Sequence, residues 1–212
     1  MPSGRSSPAP IALTFDDGPD PVWTPLVLDV LARTSVPATF FVLAPQARRY
    51  PYLLARMWEE GHEVGLHCTE HVRHDAMTPD EIDADAASGL EALAKPARLW
   101  RTPWGVVTPA TEDVAQRRGL TLVGWTADTG DWRGDAPEVM LGRVEGDLLP
   151  WAIVLMHDGI GPGAMRGGCA KTVDAISPIV SLARSRGLEP GPLDQLRPPL
   201  PDRNPDPSLS RI

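Results

Sequence analysis

Short apolar or β-branched runs recur along the chain at Ile11–Phe15, Ala38–Leu43, Glu63–His67, Arg98–Trp100, Leu120–Thr126 and Ala152–His157. Stretches of helical period lie between them. Val27, Val30 and Leu31 share one face over Trp23–Arg33, and Leu53, Leu54 and Met57 do so over Tyr52–Glu60. Thr78-Pro79-Asp80-Glu81 predicts a helix start, with a threonine cap, proline in the first helical position and acids in the first turn; that helix runs toward Ala94 and stops before Pro96. Three further helices are expected at Pro109–Arg118, stopped by Gly119, at Ala136–Val144 after Asp135, and at Thr172–Arg186, stopped by Gly187.

Strands alternating with helices pair in parallel through right-handed crossovers, giving either an open doubly wound sheet or a (β/α) barrel. Six runs, with a seventh near Leu188, fall short of eight. Both architectures gather ligands at the carboxyl ends of their strands. From Glu189 to Ile212 prolines dominate, and this segment is expected to form an extended wrap that passes into a disordered tail. The expected organisation is a flexible N-terminus over 1–10, one α/β domain over 11–188 and the proline-rich tail over 189–212.

A length of 212 residues suits one domain, and a net charge of −8 without a basic cluster argues against nucleic acid or an anionic membrane as partner. Met1–Pro10 lacks the apolar core of an export leader, and no later run approaches the ~18 apolar residues that span a bilayer. The expectation is a soluble cytoplasmic monomer, or an extracellular one where a leader has been removed. Cys68 and Cys169 are too few for a disulfide framework.

The ends of the strands carry the chemistry. Thr14-Phe15-Asp16-Asp17-Gly18-Pro19 delivers two adjacent carboxylates to a strand tip, where a cation can take one and leave the other for proton transfer. Asp-Gly-Pro is also ordinary turn chemistry. His67 and His71 are spaced to share an ion from one face of a helical turn, although H-x-x-x-H also occurs on surface helices; His62 and His74 beside them read as structural or solvated. Arg101 in Arg101-Thr102-Pro103-Trp104-Gly105 can grip a carboxylate bidentately, and the stiff turn after it can aim a backbone N–H. An acid of Asp128-Thr129-Gly130-Asp131-Trp132 can orient a histidine, and Leu155 and His157 share one face of the last strong strand.

With these five stretches in this order, the chain resembles the polysaccharide deacetylases of the NodB-homology type, carbohydrate esterase family 4, from about Ile11 to Leu188. The resemblance implies a distorted (β/α) barrel with about seven parallel strands. It implies Asp17, His67 and His71 as ligands of a divalent metal, usually zinc, with Co2+ or another divalent ion as an alternative. Asp16 becomes the general base, held by Arg101; the Trp104 N–H stabilises the oxyanion; His157, paired with Asp131 in preference to Asp128, protonates the leaving amine. Trp132 and Leu155 line the acetyl pocket, and Trp23, Trp104 and Trp132 stand near the mouth for stacking on a sugar. The implied reaction is hydrolysis of N-acetyl groups on an amino sugar, polymeric or small.

Two departures from that pattern bear on the site. Cys68 follows the first metal histidine where Ser or Thr is usual, which would tie the His71 loop less firmly or offer a thiolate ligand, and Leu66 replaces a common Asn. The competing readings are an intracellular amidase or O-acetyl esterase on a small metabolite, a two-histidine-one-carboxylate iron oxygenase, and a non-catalytic sugar-binding domain.

Overall fold

The computed structural model describes residues 8–196. The chain order is β1 (Ala9–Asp16), α1 (Trp23–Thr34), β2 (Thr39–Leu43), α2 (Ala44–Arg49), α3 (Pro51–Glu59), β3 (Glu63–Cys68), α4 (Pro79–Ala92), β4 (Leu99–Trp100), α5 (Pro109–Arg118), β5 (Thr121–Leu122), β6 (Ala127–Asp128), α6 (Pro137–Val144), β7 (Ile153–His157), α7 (Ala170–Ser185) and β8 (Leu188–Gly191). Seven strands run in the spatial order β5-β4-β3-β2-β1-β7-β6, all pairs parallel, and β8 pairs with the start of β1. The result is the expected α/β fold, a parallel sheet curled into a distorted, open barrel.

The period-2 alternation of the strands divides the apolar residues between two cores. Ile11, Leu13, Phe15, Phe40, Val42, Val64 and Leu66 face outward and pack with Leu28 and Leu31 of α1, Ile82 of α4 and Ile176 of α7. Ala12, Phe41, Leu99, Val123 and Ile153 face inward, and Leu193 seals them from below. Each strand therefore has one inward row, which must end at the C-terminal rim. On β1 that row is Ala12, Thr14, Asp16, and the chemistry of the rim follows from it.

The helices form where the sequence predicts. Thr78 and Glu81 make the reciprocal capping box that holds the start of α4, and Gly119 ends α5 in the left-handed conformation. α2, entered through Pro45, was not expected.

Three expectations change. The run Leu120–Thr126 is not one strand: β5 pairs with β4 at one edge of the sheet and β6 with β7 at the other, so the segment between them crosses the gap of the open barrel. The wrap beginning at Glu189 contains β8 and a 3-10 turn at Leu193–Leu196, where the Leu193 N–H donates to Thr39 Oγ1 at 2.9 Å. Strand β1 reaches back to Ala9, inside the stretch expected to be flexible. Residues 1–7 and 197–212, the rest of the expected flexible termini, lie outside the described residues. Among the described residues, no helix is long and apolar enough to cross a membrane.

Candidate functional site

Register brings the rim together. Asp16 on β1 is paired with His157 on β7, one rung above Phe15 and Met156, so both polar side chains end adjacent inward rows. The chain then turns at Asp17, whose φ of +73° lies in the left-handed region, a conformation Asp tolerates better than most residues. A Cβ on Gly161 would run into the Asp17 carboxylate, so glycine lets the 159–168 loop close over that acid.

His67 ends the inward row of β3, while His71 lies beyond it in an irregular bend, not on the expected helical turn. The bend doubles back because Asp85 of α4 holds it: Asp85 Oδ2 accepts the Thr69 N–H at 2.9 Å and Oδ1 accepts the Glu70 N–H at 2.5 Å. The Thr69 hydroxyl also donates to the Asp85 carbonyl, at 2.9 Å. Cys68 points away from the site, fully buried, with burial raising its thiol far above the ordinary value. It is not a ligand, and the loop needs no hydroxyl at that position. Asp85→Ala is expected to lower stability by roughly 1–2 kcal/mol by leaving two part-buried N–H groups without their acceptor. Denaturant unfolding reads that loss, and cation titration should show weaker binding as the His71 bend loosens.

Asp17 Oδ1 lies 3.5 Å from His67 Nε2 and 3.4 Å from His71 Nε2, and the two nitrogens are 3.3 Å apart. Ligand bonds of about 2.0–2.2 Å at tetrahedral angles give edges of about 3.3–3.5 Å, so this triangle has the size of one face of a zinc-like site with a fourth position free. The donor set fits as well. His67 Nδ1 sits 2.6 Å from the Arg101 carbonyl, which must be accepting, and that fixes the proton on Nδ1 and leaves an Nε2 lone pair toward the triangle. Asp17 Oδ1 is buried without a hydrogen-bond donor. Burial alone would raise the Asp17 pKa, but His71, His67 and His157 outweigh it and hold it at about 2. Burial lowers the His67 pKa more than Asp16 and Asp17 raise it, favouring neutral imidazole. Two imidazole nitrogens converging on a carboxylate oxygen fit the donor set of a bound cation. Among the described residues this is the one group of three or more His, Cys, Asp or Glu side chains with metal-ligand spacing.

Arg101 is fully buried beneath Asp16 and is not bidentate on it: Nη1 alone reaches Asp16 Oδ1 at 2.9 Å and donates also to Thr14 Oγ1 at 2.7 Å. Nη2 is taken by the Gly124 carbonyl at 2.8 Å, because the segment crossing the barrel gap passes directly beside it. The guanidinium lies 4.3 Å from the Phe41 ring centre.

Across the site, Asp131 Oδ1 meets His157 Nδ1 at 2.7 Å and Oδ2 accepts the His157 backbone N–H at 2.9 Å. Asp128 instead caps its own turn through the Gly130 N–H, which settles the choice between the two acids. Burial opposes protonation of His157, but Asp131 first, then Asp16 and Asp17, raise its pKa to about 9. Burial likewise opposes ionisation of Asp131, and His157 and Arg166 overcome it.

Asp16, Asp17, His67, His71, Trp104, Trp132, Leu155 and His157 line one cavity of about 270 Å3. Trp104, at φ +54°, sets its ring edge-on to His71 with centres 4.3 Å apart. Trp23 does not line this cavity and packs beside Gly168; Trp125 takes its place in the wall. His62 and His74 are structural: His62 Nδ1 accepts the Ala38 N–H at 3.0 Å, and His74 Nδ1 sits 2.9 Å from Thr111 Oγ1.

The residues that sequence reasoning missed are Asp85, Trp125, Arg166 and Thr172. Asp85 left a signal, since a carboxylate occupies the buried stripe Ile82-Asp85-Ala86-Gly89 of α4. The others left none, because only the fold brings them near the site.

Comparison with known proteins agrees with this geometry. A chitooligosaccharide deacetylase from Bradyrhizobium sp. is 36% identical over 88% of this chain and 90% of its own length. A peptidoglycan-N-acetylglucosamine deacetylase from Bacillus cereus is 32% identical over 87% of this chain and 67% of its own. The crystal structure of the Bc1960 peptidoglycan N-acetylglucosamine deacetylase superposes with a TM-score of 0.82 at 30% identity, covering 89% of this chain and 88% of that one. The polysaccharide deacetylase family model matches residues 3–123, a span that takes in both carboxylates, both histidines and Arg101, and the chain belongs to that family.

Proposed function

We propose that this protein is a divalent-metal-dependent deacetylase that hydrolyses N-acetyl groups of an amino sugar, in a chitin- or peptidoglycan-type chain, an oligomer or a smaller glycoside. The observation that carries the reading is that one cavity gathers a three-donor cation site, a carboxylate held by a buried arginine and an imidazole held by a buried carboxylate. The relatives named above act on such acetylated sugars.

A cation held by Asp17, His67 and His71, zinc by the character of the donors, supplies Lewis acidity that activates water and polarises the acetyl carbonyl. Asp16 takes the proton from the attacking water, and Arg101 Nη1 holds its carboxylate in place at 2.9 Å. The Trp104 N–H is assigned to the developing oxyanion. His157, protonated on Nε2 and anchored through Nδ1 by Asp131, gives its proton to the departing amine. Leu155 and Trp132 close around the acetyl methyl, and Trp104 and Trp125 offer ring faces to the sugar.

The same donor triangle matches the ligand set of two-histidine-one-carboxylate iron oxygenases. The acid and base flanking it have no task in that chemistry. A domain that only binds sugar would need neither.

The test is acetate release by metal-loaded protein from chito-oligosaccharides, peptidoglycan fragments and small acetamido sugars. Release from at least one is expected, and none from any would overturn the reading. His157 works protonated, so kcat/KM is lost as pH rises through its folded pKa. That value is about 9 without the cation, and the added positive charge draws it down, placing the alkaline limb at or below about 9. Asp131→Asn removes the principal partner raising it, and should move the limb further down.

A further inference from the structure

The reaction as derived makes no use of Arg166, a residue in the glycine-rich turn between β7 and α7. Its side chain is only 5% exposed, although it carries a full charge. Nη1 donates to Asp131 Oδ2 at 2.9 Å and reaches the Asp131 carbonyl at 3.3 Å. Nη2 donates to the carbonyls of His157 at 3.1 Å and Gly159 at 3.2 Å. One planar guanidinium thus spans the carboxylate that holds the imidazole and the backbone from which that imidazole projects.

The hydrogen bonds on Asp131 show what this accomplishes. Oδ2 receives Arg166 Nη1, the Thr172 hydroxyl at 2.8 Å and the His157 backbone N–H at 2.9 Å. That oxygen is saturated, and Oδ1 is left to the His157 ring at 2.7 Å. Removing Arg166 would free the carboxylate to rotate about its remaining donors, and the ring would turn with it. A lysine, as a point charge, cannot reach these acceptors together in one plane.

We propose that Arg166 is a positioning residue for proton delivery, locking Asp131 and the His157 backbone together so that the imidazole keeps Nδ1 on Asp131 and presents Nε2 to the leaving group. This rests on the deacetylase reading above. A group that acts only through the leaving-group proton has a distinctive signature. An amide must be protonated to depart, whereas 4-nitrophenolate leaves without a proton.

The experiment compares wild type, Arg166→Met and Arg166→Lys on an N-acetylated chito-oligosaccharide and on 4-nitrophenyl acetate, with Zn2+ titration of each variant. Expected for Arg166→Met is a fall in kcat of about 10²-fold on the amide with KM and Zn2+ affinity held, and less than about threefold on the ester. Arg166→Lys should fall in between on the amide, and it carries the comparison if the methionine variant does not fold. Adding Arg166→Met to an Asp131→Asn background should cost little more on the amide, since both act on one proton. Equal losses on both substrates, weakened Zn2+ binding, or additive losses in the double variant would each overturn the role of Arg166 alone. Wild-type protein that released no acetate from the amide would instead overturn the deacetylase reading.

Discussion

Stripping the protein with a chelator is expected to reduce acetate release by about 10³-fold or more, and adding back Zn2+ or Co2+ is expected to restore it. The size follows from the site. Loss of Lewis-acid stabilisation worth several kcal/mol at the transition state, at 1.36 kcal/mol per decade of rate, corresponds to three or more decades. His71→Ala should act in the same direction, because two donors 3.5 Å apart, Asp17 Oδ1 and His67 Nε2, retain a cation far less well than three. The measurement is acetate release alongside cation titration of the same samples. Full activity in protein shown to be metal-free would end the hydrolytic scheme, since Asp17 would then lack its assigned task.

Asp16→Asn should be nearly as damaging, about 10²–10⁴-fold in kcat, with cation affinity preserved. Its neighbour behaves in the opposite way: Asp17→Asn should lose the cation first and activity as a consequence. Two carboxylates adjacent in sequence are thus separable by one titration. The fold is expected to survive Asp16→Asn, because an asparagine carbonyl can still accept from Arg101 Nη1, and the guanidinium keeps Thr14 and the Gly124 carbonyl. Alanine would take away the hydrogen-bond acceptor as well as the counter-charge of a fully buried guanidinium, at about 3–5 kcal/mol, so it is the wrong probe at this position. Retention of more than about a tenth of wild-type kcat in a folded, cation-bound Asp16→Asn protein would remove Asp16 from the role of base.

These outcomes depend on a wall that the local sequence does not reveal. The segment Val123–Trp125 crosses the gap of the open barrel, and from that position it supplies Arg101 with two carbonyl acceptors and the cavity with an indole. A single strand over Leu120–Thr126 would have placed these groups in a ladder, away from the site. Cys68 is buried outside the donor triangle, for a related reason. The support expected of a hydroxyl next to His67 comes from Asp85 on α4, which is distant in the chain and adjacent in space.

The sequence by itself determined the alternation of strand and helix, hence a parallel α/β class open between doubly wound sheet and barrel, and the identities of the groups at the strand tips. These are local properties: period-2 and helical patterning, caps such as Thr78 and Gly119, and acids or histidines where an apolar run ends. Tertiary structure alone decided which groups meet. The β1–β7 register set Asp16 beside His157, the left-handed turn at Asp17 and the Asp85-held bend closed the donor triangle, and the return of the chain into α7 brought Arg166, before that helix, and Thr172, in its first turn, onto Asp131. Sequence patterning reports which face a side chain takes, whereas distances between elements depend on register and loop path, which no local pattern encodes.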